Sequence, residues 1–276
     1  MKINRVYYQV KGNVDKRIVL LSDIHYYSKK DNKKLNRILD NLNNIDYDYL
    51  CITGDLIDER NIHDEEYLIT FLKKLAKKSK IIISLGNHEY INGKDYSNYN
   101  KVLFNNINKI RNVSVLDNDI LNIDNINFIG LTLPGEYYYK YNEHNDNYLI
   151  DYINKHIPFL KSGYNILLCH TPIRITKSKV FNKLNIANNI DLVLSGHTHG
   201  GITPSILKKV LKGRGLIGPQ IGILVKHSYG KYTINKTNFI ISSGITKSSH
   251  ANKLSFLDFL FAPEITIIDI KSVDVC

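Results

Sequence analysis

The chain has 276 residues, of which 43% are hydrophobic and 23% charged, and its formal net charge is +11. These values are typical of a globular protein with one large core or two small ones. No run approaches the roughly 18 apolar residues of a membrane-spanning helix, so we expect no transmembrane segment. The polar N-terminal segment has no apolar signal core, which predicts a cytoplasmic location. Three widely spaced cysteines argue against a disulfide framework or a cysteine-based zinc site.

Short apolar runs alternate with amphipathic stretches along the chain. The runs have the length and Ile, Val and Leu content of buried strands, and they are Arg17–Leu21, Tyr49–Thr53, Ile81–Leu85, Asn165–Cys169 and Asp191–Leu194. Helical spacing of apolar residues predicts helices around Leu35–Leu42 and Leu68–Leu75, and a third from about Tyr96 to Ile110. This alternation predicts βαβ units with mostly parallel strands, in a single domain over residues 1–276.

Three later stretches have a different pattern. Leu121 to Thr132 reads as two paired strands around Asp124-Asn125. Lys231 to Ser243 predicts a second hairpin, and Ile265 to Ile270 a final strand.

A polar cluster directly follows each of the five predicted buried strands. The clusters are Asp23-Ile24-His25, Gly54-Asp55, Gly86-Asn87-His88-Glu89, His170-Thr171-Pro172 and Gly196-His197-Thr198-His199. Loops at the carboxyl ends of parallel strands converge on one crevice, so we expect two Asp, one Asn and five His to meet there. Imidazole and carboxylate without thiolate suit Zn, Mn or Fe.

The spacing within the clusters also favours metal binding. On an extended segment, Asp23 and His25 would leave the same face and bind one ion together. His197 and His199 could reach two neighbouring ions, and the carboxylate of Asp55 could bridge them. Each motif alone is weak, since Gly-Asp is more often a turn and a lone Asp-x-His is often structural. Five in order, each at a strand end, make chance a poor explanation.

The ordered set Asp-x-His, Gly-Asp-x-x-Asp, Gly-Asn-His-Glu, a lone His and Gly-His-x-His resembles the calcineurin-like metallophosphoesterase family. The resemblance spans roughly Ile18 to Gly201. It implies an α/β fold, a four-layer αββα sandwich with two mixed β-sheets. It also implies two divalent metal ions, Mn, Fe or Zn, and the first would be held by Asp23, His25 and His199. The second would be held by Asn87, His170 and His197, with Asp55 as the bridge and His88 as the catalytic residue.

Two further features resemble one bacterial subgroup of this family. They are Gly200-Gly201 after the last motif histidine and Pro263-Glu264-Ile265 near the C-terminus. The subgroup includes enzymes with an N-terminal anchor or export signal, some of which act on lipid-linked pyrophosphates. The chain shows no such leader, so we expect it to remain on the cytoplasmic side.

These motifs predict a hydrolase of a phosphomonoester, phosphodiester or pyrophosphate bond. The attacking group would be a hydroxide shared by the two ions, and the substrate an anionic small molecule, a nucleotide or a lipid-linked phosphate. The first alternative is a DNA or RNA nuclease, which the charge favours although no nucleic-acid-binding motif is recognisable. The second is a non-catalytic scaffold, which would not need the full ligand set. The charge could also reflect drift in a chain rich in Asn, Ile, Lys and Tyr.

Two segments allow more than one interpretation. Residues 202–229 mix apolar residues with Lys and Arg and could contact an anionic membrane surface or a lipid substrate. The alternative for this segment is a core helix followed by an ordinary loop. Residues Tyr137, Tyr138, Tyr139 and Tyr141 could stack on a base or sugar, or form a solvated loop.

Overall fold

The structure is a computed structural model, and it describes residues 3–58, 64–89, 98–139, 146–217, 223–246 and 262–272. The α-helices are α1 Asn32–Asn43, α2 Glu65–Ala76, α3 Asn98–Asn108, α4 Glu136–Tyr139, α5 Asp146–His156, α6 Ser178–Phe181 and α7 Ser205–Leu211. The first strands are β1 Asn4–Gly12, β2 Lys16–Leu21, β3 Tyr49–Thr53, β4 Lys80–Ser84, β5 Val113–Leu116, β6 Asp119–Ile123 and β7 Ile126–Leu131. The later strands are β8 Tyr164–Cys169, β9 Leu192–Ser195, β10 Gly215–Ile217, β11 Ile223–Val225, β12 Gly230–Ile234, β13 Thr237–Ile241 and β14 Glu264–Ser272.

Two six-stranded mixed sheets form the centre of the fold. The first has the order β1-β14-β2-β3-β4-β5, and β14 runs antiparallel to β2 while β2 to β5 are parallel. The second has the order β12-β13-β9-β8-β7-β6, with β13, β9, β8 and β7 parallel and an antiparallel strand at each edge. A separate antiparallel pair joins β10 to β11.

Alternation of side chains along the strands separates three apolar layers. In β2, Ile18 and Leu20 pack between the two sheets, against residues such as Phe128 of β7. Val19 and Leu21 point the other way and pack with α1, α2 and α3. The outer face of the second sheet packs with α5 and α6. Because successive side chains of a strand leave opposite faces, strands buried on both sides produce the helix–sheet–sheet–helix order of a four-layer αββα sandwich.

The strand and helix predictions agree with this architecture. All five predicted buried strands are present within one residue of the expected bounds, and α1 to α3 lie where the helical spacing placed them. The hairpin β6–β7 turns through Asp124 and Asn125, which both have positive φ, as a two-residue hairpin turn requires. The hairpin β12–β13 and the final strand β14 are also confirmed.

Two smaller expectations can be compared with the structure. Cys51 and Cys169 are buried free thiols, and Cys276 lies outside the described residues. Among the helices that the structure describes, none has the length and apolar character needed to cross a bilayer.

Candidate metal centre

Five loops bring their polar side chains together at the carboxyl ends of parallel strands from both sheets. The loops after β2, β3 and β4 carry Asp23, Asp55 and Asn87, and those after β8 and β9 carry His170 and His197. All five of these residues are buried. The predicted convergence on one crevice therefore occurs, with each sheet contributing to the same cluster.

Three overlapping groups of side chains have the spacing of metal ligands. Within each group the ligand atoms lie within 4.8 Å of one another, and the groups are Asp23, His25, His199, then His25, Asp55, His88, and then Asp55, His170, His197. Asp55 is common to two groups, and its Oδ2 lies 3.6 Å from His25 Nε2 and 3.0 Å from His170 Nε2. Its carboxylate thus stands between the first and third groups.

The backbone of these loops differs from the expected extended form. Asp23 and His25 have φ of 53° and 47°, in the left-handed region that non-glycine residues rarely adopt. Asp55, His197 and His199 also have positive φ. The expectation of an extended Asp23–His25 segment was wrong, although both side chains do meet in one group. Residues held in sparsely populated conformations cluster at functional sites, where surrounding contacts hold them in place.

Backbone carbonyls orient two of the histidines. His170 Nδ1 lies 2.7 Å from the carbonyl oxygen of Thr53, and His199 Nδ1 lies 2.8 Å from that of Thr246. An Nδ1–H that donates to a carbonyl leaves Nε2 as the atom that can bind a metal. Within the described part of the chain, the buried Nε2 atoms of His25 and His197 have no hydrogen-bond partner. Unpaired buried imidazole nitrogens are costly, and a bound cation would satisfy them.

Burial and charge act in opposite directions on these ionisable groups. Burial lowers the pKa of His25 well below its ordinary value, and it lowers the pKa of His197 to about 3. For His170 burial also acts downward, but the carboxylate of Asp55 outweighs it and raises the pKa to about 9. Burial would raise the pKa of Asp55, yet His170 and His88 hold it well below its usual range. At neutral pH this leaves His25 and His197 neutral and Asp55 charged, whereas His170 is protonated and must lose a proton to bind a metal.

Close contacts between the loops require glycine at two positions. A Cβ on Gly86 would lie 2.3 Å from Asp55 Oδ1, and a Cβ on Gly196 would lie 1.6 Å from Ser22 Oγ. Next to Gly196, the N–H of His197 donates to both carboxylate oxygens of Asp23, at 3.2 and 3.1 Å. The motif glycines therefore allow one loop to approach the carboxylate of another.

His88 differs from the other histidines in its exposure. Its side chain is 24% exposed, compared with 9% for His25, 12% for His199 and 0% for His170. Its backbone N–H donates to Asp55 Oδ1 at 3.0 Å, and its Nε2 lies 3.9 Å from Asp55 Oδ2. Distance alone does not separate His88 from the ligand set, but its position at the open side of the cluster suits contact with a substrate.

Glu89 completes the third motif, although no role was predicted for it from the sequence. It is fully buried, and its carboxylate accepts hydrogen bonds from the backbone N–H groups of Asp55 at 2.9 Å and Ile57 at 3.3 Å. It also accepts from the N–H of Gly86. Burial, assisted by the nearby charge of Asp55, raises the pKa of Glu89 to about 7. Glu89 thus ties the loop that carries Asp55 to the loop that carries Asn87.

Thr246 and Tyr138 also belong to the surroundings of the cluster. Thr246 orients His199 through its carbonyl, and its hydroxyl donates to the carbonyl of Ile24 at 2.7 Å. Thr246 lies beyond the carboxyl end of β13. The expectation that loops after parallel strands converge on one crevice could therefore have identified it. The ring of Tyr138 is buried, 6.0 Å from the ring of His170 and 5.6 Å from that of His197.

The tyrosine-rich segment differs from the solvated-loop alternative. Tyr137 is buried like Tyr138, so a solvated loop is wrong for these two residues. The side chain of Tyr139 and all of Tyr141 lie outside the described residues.

Comparison with known proteins gives the family. A family model described as calcineurin-like phosphoesterase matches residues 16–201. The chain belongs to this family. It is 31% identical over 240 residues to an uncharacterised metallophosphoesterase of Helicobacter pylori. That alignment covers 86% of this chain and 56% of the Helicobacter pylori protein. A Campylobacter jejuni metallophosphoesterase is 31% identical over 233 residues, covering 83% of this chain and 54% of that protein.

The chain therefore spans about half the length of these two metallophosphoesterases. Among solved structures, a 5'-nucleotidase precursor from Thermus thermophilus aligns with a TM-score of 0.46 and 10% identity. That alignment covers 84% of this chain and 49% of the nucleotidase. The comparisons therefore show the family of the matched region, residues 16–201.

Proposed function

We propose that this chain hydrolyses a phosphomonoester, phosphodiester or pyrophosphate bond with two bound divalent ions. The observation that carries the proposal is the position of the Asp55 carboxylate between the first and third ligand groups, which consist of carboxylate and imidazole atoms without thiolate. Such a donor set suits Mn, Fe or Zn. The carbonyl-oriented ring of His170 and the unpartnered Nε2 of His197 support the same assignment.

The ligands divide into two sets around Asp55. We assign Asp23, His25 and His199 to the first ion. We assign His170 and His197 to the second, together with Asn87, which is buried in the same loop as His88. Bound there, the two ions would activate water as a nucleophile and neutralise the charge of the phosphoryl oxygens.

We assign His88 to substrate contact and proton transfer. Its side chain is more exposed than those of the candidate ligands His25, His170 and His199, so it can reach a phosphate that they cannot. An imidazolium at this position would hydrogen-bond a phosphoryl oxygen and give its proton to the leaving oxygen as the P–O bond breaks. Asp55 keeps the ring beside the cluster through its bond to the His88 backbone N–H.

Reconstitution of metal-stripped protein tests the function. Each of Mn, Fe and Zn would be restored separately, and hydrolysis measured with p-nitrophenyl phosphate, bis-p-nitrophenyl phosphate, a nucleotide pyrophosphate and single-stranded DNA. We expect metal-dependent turnover of at least one of the first three substrates. Turnover of DNA alone would favour the nuclease alternative, and no turnover with any ion would contradict the proposal.

Substitution of His88 tests its role. We expect His88→Ala to keep two ions per chain and to lower kcat by roughly 10²–10⁴-fold, the usual contribution of general acid–base catalysis. His156→Ala is the control, because His156 is an exposed histidine whose Nδ1 lies 2.8 Å from the carbonyl of Tyr152 in α5, outside the ligand groups. Near-normal turnover of His88→Ala with both ions bound would remove His88 from the mechanism.

A further inference from the structure

The segment that carries His199 leads directly into the short helix α7 and the β10–β11 hairpin. Residues 199–202 all have positive φ, and α7 begins at Ser205. Gly201 and Gly215 are so close that a Cβ on Gly201 would lie 2.2 Å from Gly215 Cα. The N–H of Leu216 in β10 donates to Thr203 Oγ1 at 3.1 Å. Helix and hairpin are therefore fixed beside the candidate metal centre.

Lys208 anchors one face of α7 to the body of the protein. Its Nζ lies 2.5 Å from Ser243 Oγ and 3.5 Å from Glu264 Oε2, at the end of the second sheet and the start of β14. The carbonyl oxygen of Lys208 accepts a hydrogen bond from the hydroxyl of Tyr229 at 2.9 Å. These contacts hold the orientation of the helix and determine which of its residues face outward.

The outward face of α7 is apolar and exposed. Ile206 and Val210 are 77% and 74% exposed, and they lie four residues apart, so they share one face of the helix. Leu207 beside them is 39% exposed. The alternative of a core helix in residues 202–229 is wrong, because no residue of α7 is buried.

Several exposed basic residues lie close to this apolar face in the sequence. Lys209, Lys212, Arg214 and Lys226 are all exposed. Residues 202–229 include five Lys or Arg and no Asp or Glu. An exposed apolar pair in a segment with basic and no acidic residues has the composition of an interfacial membrane anchor.

We propose that the outward face of α7 docks on the surface of an anionic lipid bilayer. Ile206 and Val210 would enter the headgroup region, and the neighbouring lysines would bind lipid phosphates. A second copy of the chain fits this face less well, because it would bring the same basic residues together in a chain of net charge +11. Since α7 is short, the binding is reversible, and it places the segment that carries His199 next to the bilayer.

Vesicle flotation of the full chain tests this interface. The protein would be mixed with vesicles of phosphatidylcholine alone, or with phosphatidylglycerol added, at low and high salt. We expect flotation with the anionic vesicles only, and weaker flotation at high salt. The double variant Ile206→Ser/Val210→Ser should lower the partition coefficient by at least about tenfold, because two apolar side chains no longer enter the lipid.

Matched variants separate the surface from general effects. Phe159→Ser removes an apolar side chain of similar exposure (69%) elsewhere on the surface and should float like the wild type. Lys209→Gln/Lys212→Gln should weaken partition by roughly 25-fold, at about fivefold for each lysine near an anionic surface. Lys73→Gln/Lys74→Gln on α2, also exposed, should have no comparable effect.

Three results would overturn the proposal. They are failure of the wild type to float with anionic vesicles, equal flotation of Ile206→Ser/Val210→Ser, or a solution dimer that this double variant abolishes in light scattering. The inference stands apart from the proposed hydrolysis, because flotation needs no turnover. Hydrolysis of bis-p-nitrophenyl phosphate by the double variant should equal that of the wild type, so loss of membrane binding and loss of catalysis are distinguishable.

Discussion

Nε2 of His170 lies 3.0 Å from Oδ2 of Asp55, and both side chains are buried at the carboxyl ends of strands from opposite sheets. The ring of His170 cannot turn freely, because its Nδ1 is held by the carbonyl of Thr53. The imidazole of His170 and the carboxylate of Asp55 therefore approach the same position from the two sheets. A carboxylate in this position can bind two metal ions at once, and its negative charge stabilises the two neighbouring cations.

We expect Asp55→Asn to reduce bound metal from the proposed two ions to fewer than one per chain. The amide keeps the shape of the side chain but loses the charge that two cations require. Hydrolysis should fall by more than about 100-fold, since even outer partners of metal ligands contribute 10–100-fold. Metal analysis and steady-state kinetics provide the measurement. Asp40→Asn, an exposed position on α1, is the control, and two ions with normal turnover in Asp55→Asn would contradict the bridging role.

Glu89→Gln should weaken both metal binding and folding. The carboxylate accepts from three backbone N–H groups with its two oxygens, whereas an amide offers one oxygen and would turn a donor toward an N–H. The free energy of unfolding should fall by about 1–3 kcal/mol, the cost of leaving a buried donor unsatisfied. Metal affinity should fall by roughly 10–100-fold.

Urea denaturation and metal titration measure these two effects. Glu66→Gln on the exposed surface of α2 is the matched control. Native metal affinity in Glu89→Gln would show that Glu89 has no positioning role.

The sequence predicted the position of the candidate site better than its backbone. Parallel strands that are buried on both faces have an apolar signature, and their carboxyl ends meet at one edge. That rule alone brought Asp23, Asp55 and His170 together. It could not predict the positive φ of His25 or His199, because those conformations depend on contacts with distant loops.

Long-range pairing was the part of the fold that local patterns could not show. Strand β14 inserts between β1 and β2, so that Ile268 near the end of the sequence pairs with Ile18 near its beginning. The sequence pattern predicts β13 only as one strand of a hairpin with β12, yet β13 also pairs in parallel with β9. That second pairing brings Thr246 to His199, and it depends on sheet order rather than on residue pattern.

Asp269→Asn should destabilise the fold in a pH-dependent way. Asp269 on β14 accepts from Arg17 Nε at 2.6 Å and from Nη2 at 3.0 Å, and this hydrogen bond lowers the pKa of the carboxyl. A carboxyl whose pKa is lower in the folded state stabilises the fold at pH values above its unfolded-state pKa of about 3.9. This stabilisation is lost as pH falls through the folded-state pKa. The substitution should therefore cost up to about 1 kcal/mol at neutral pH, since the pair is partly exposed.

As pH falls through the lowered folded-state pKa of Asp269, the difference between wild type and Asp269→Asn should shrink, because the carboxyl becomes protonated in both states. Urea denaturation at pH 7 and at low pH measures it. Asp151→Asn, at an exposed position of α5, is the control. A difference that stays constant with pH would assign the loss to something other than the ion pair with Arg17.

Gly196→Ala should disturb the first ligand group without changing any ligand. The new Cβ would lie 1.6 Å from Ser22 Oγ and 2.6 Å from Asp23 Oδ2, so one of these side chains must move. We expect strain of about 1–3 kcal/mol in the free energy of unfolding, and loss of the ion that Asp23 would hold. Ser22→Gly removes the closer contact, so the double variant should recover part of the metal that Gly196→Ala loses. Metal analysis and urea denaturation of both single variants and the double measure this coupling, and strictly additive losses would show that Ser22 and residue 196 do not interact.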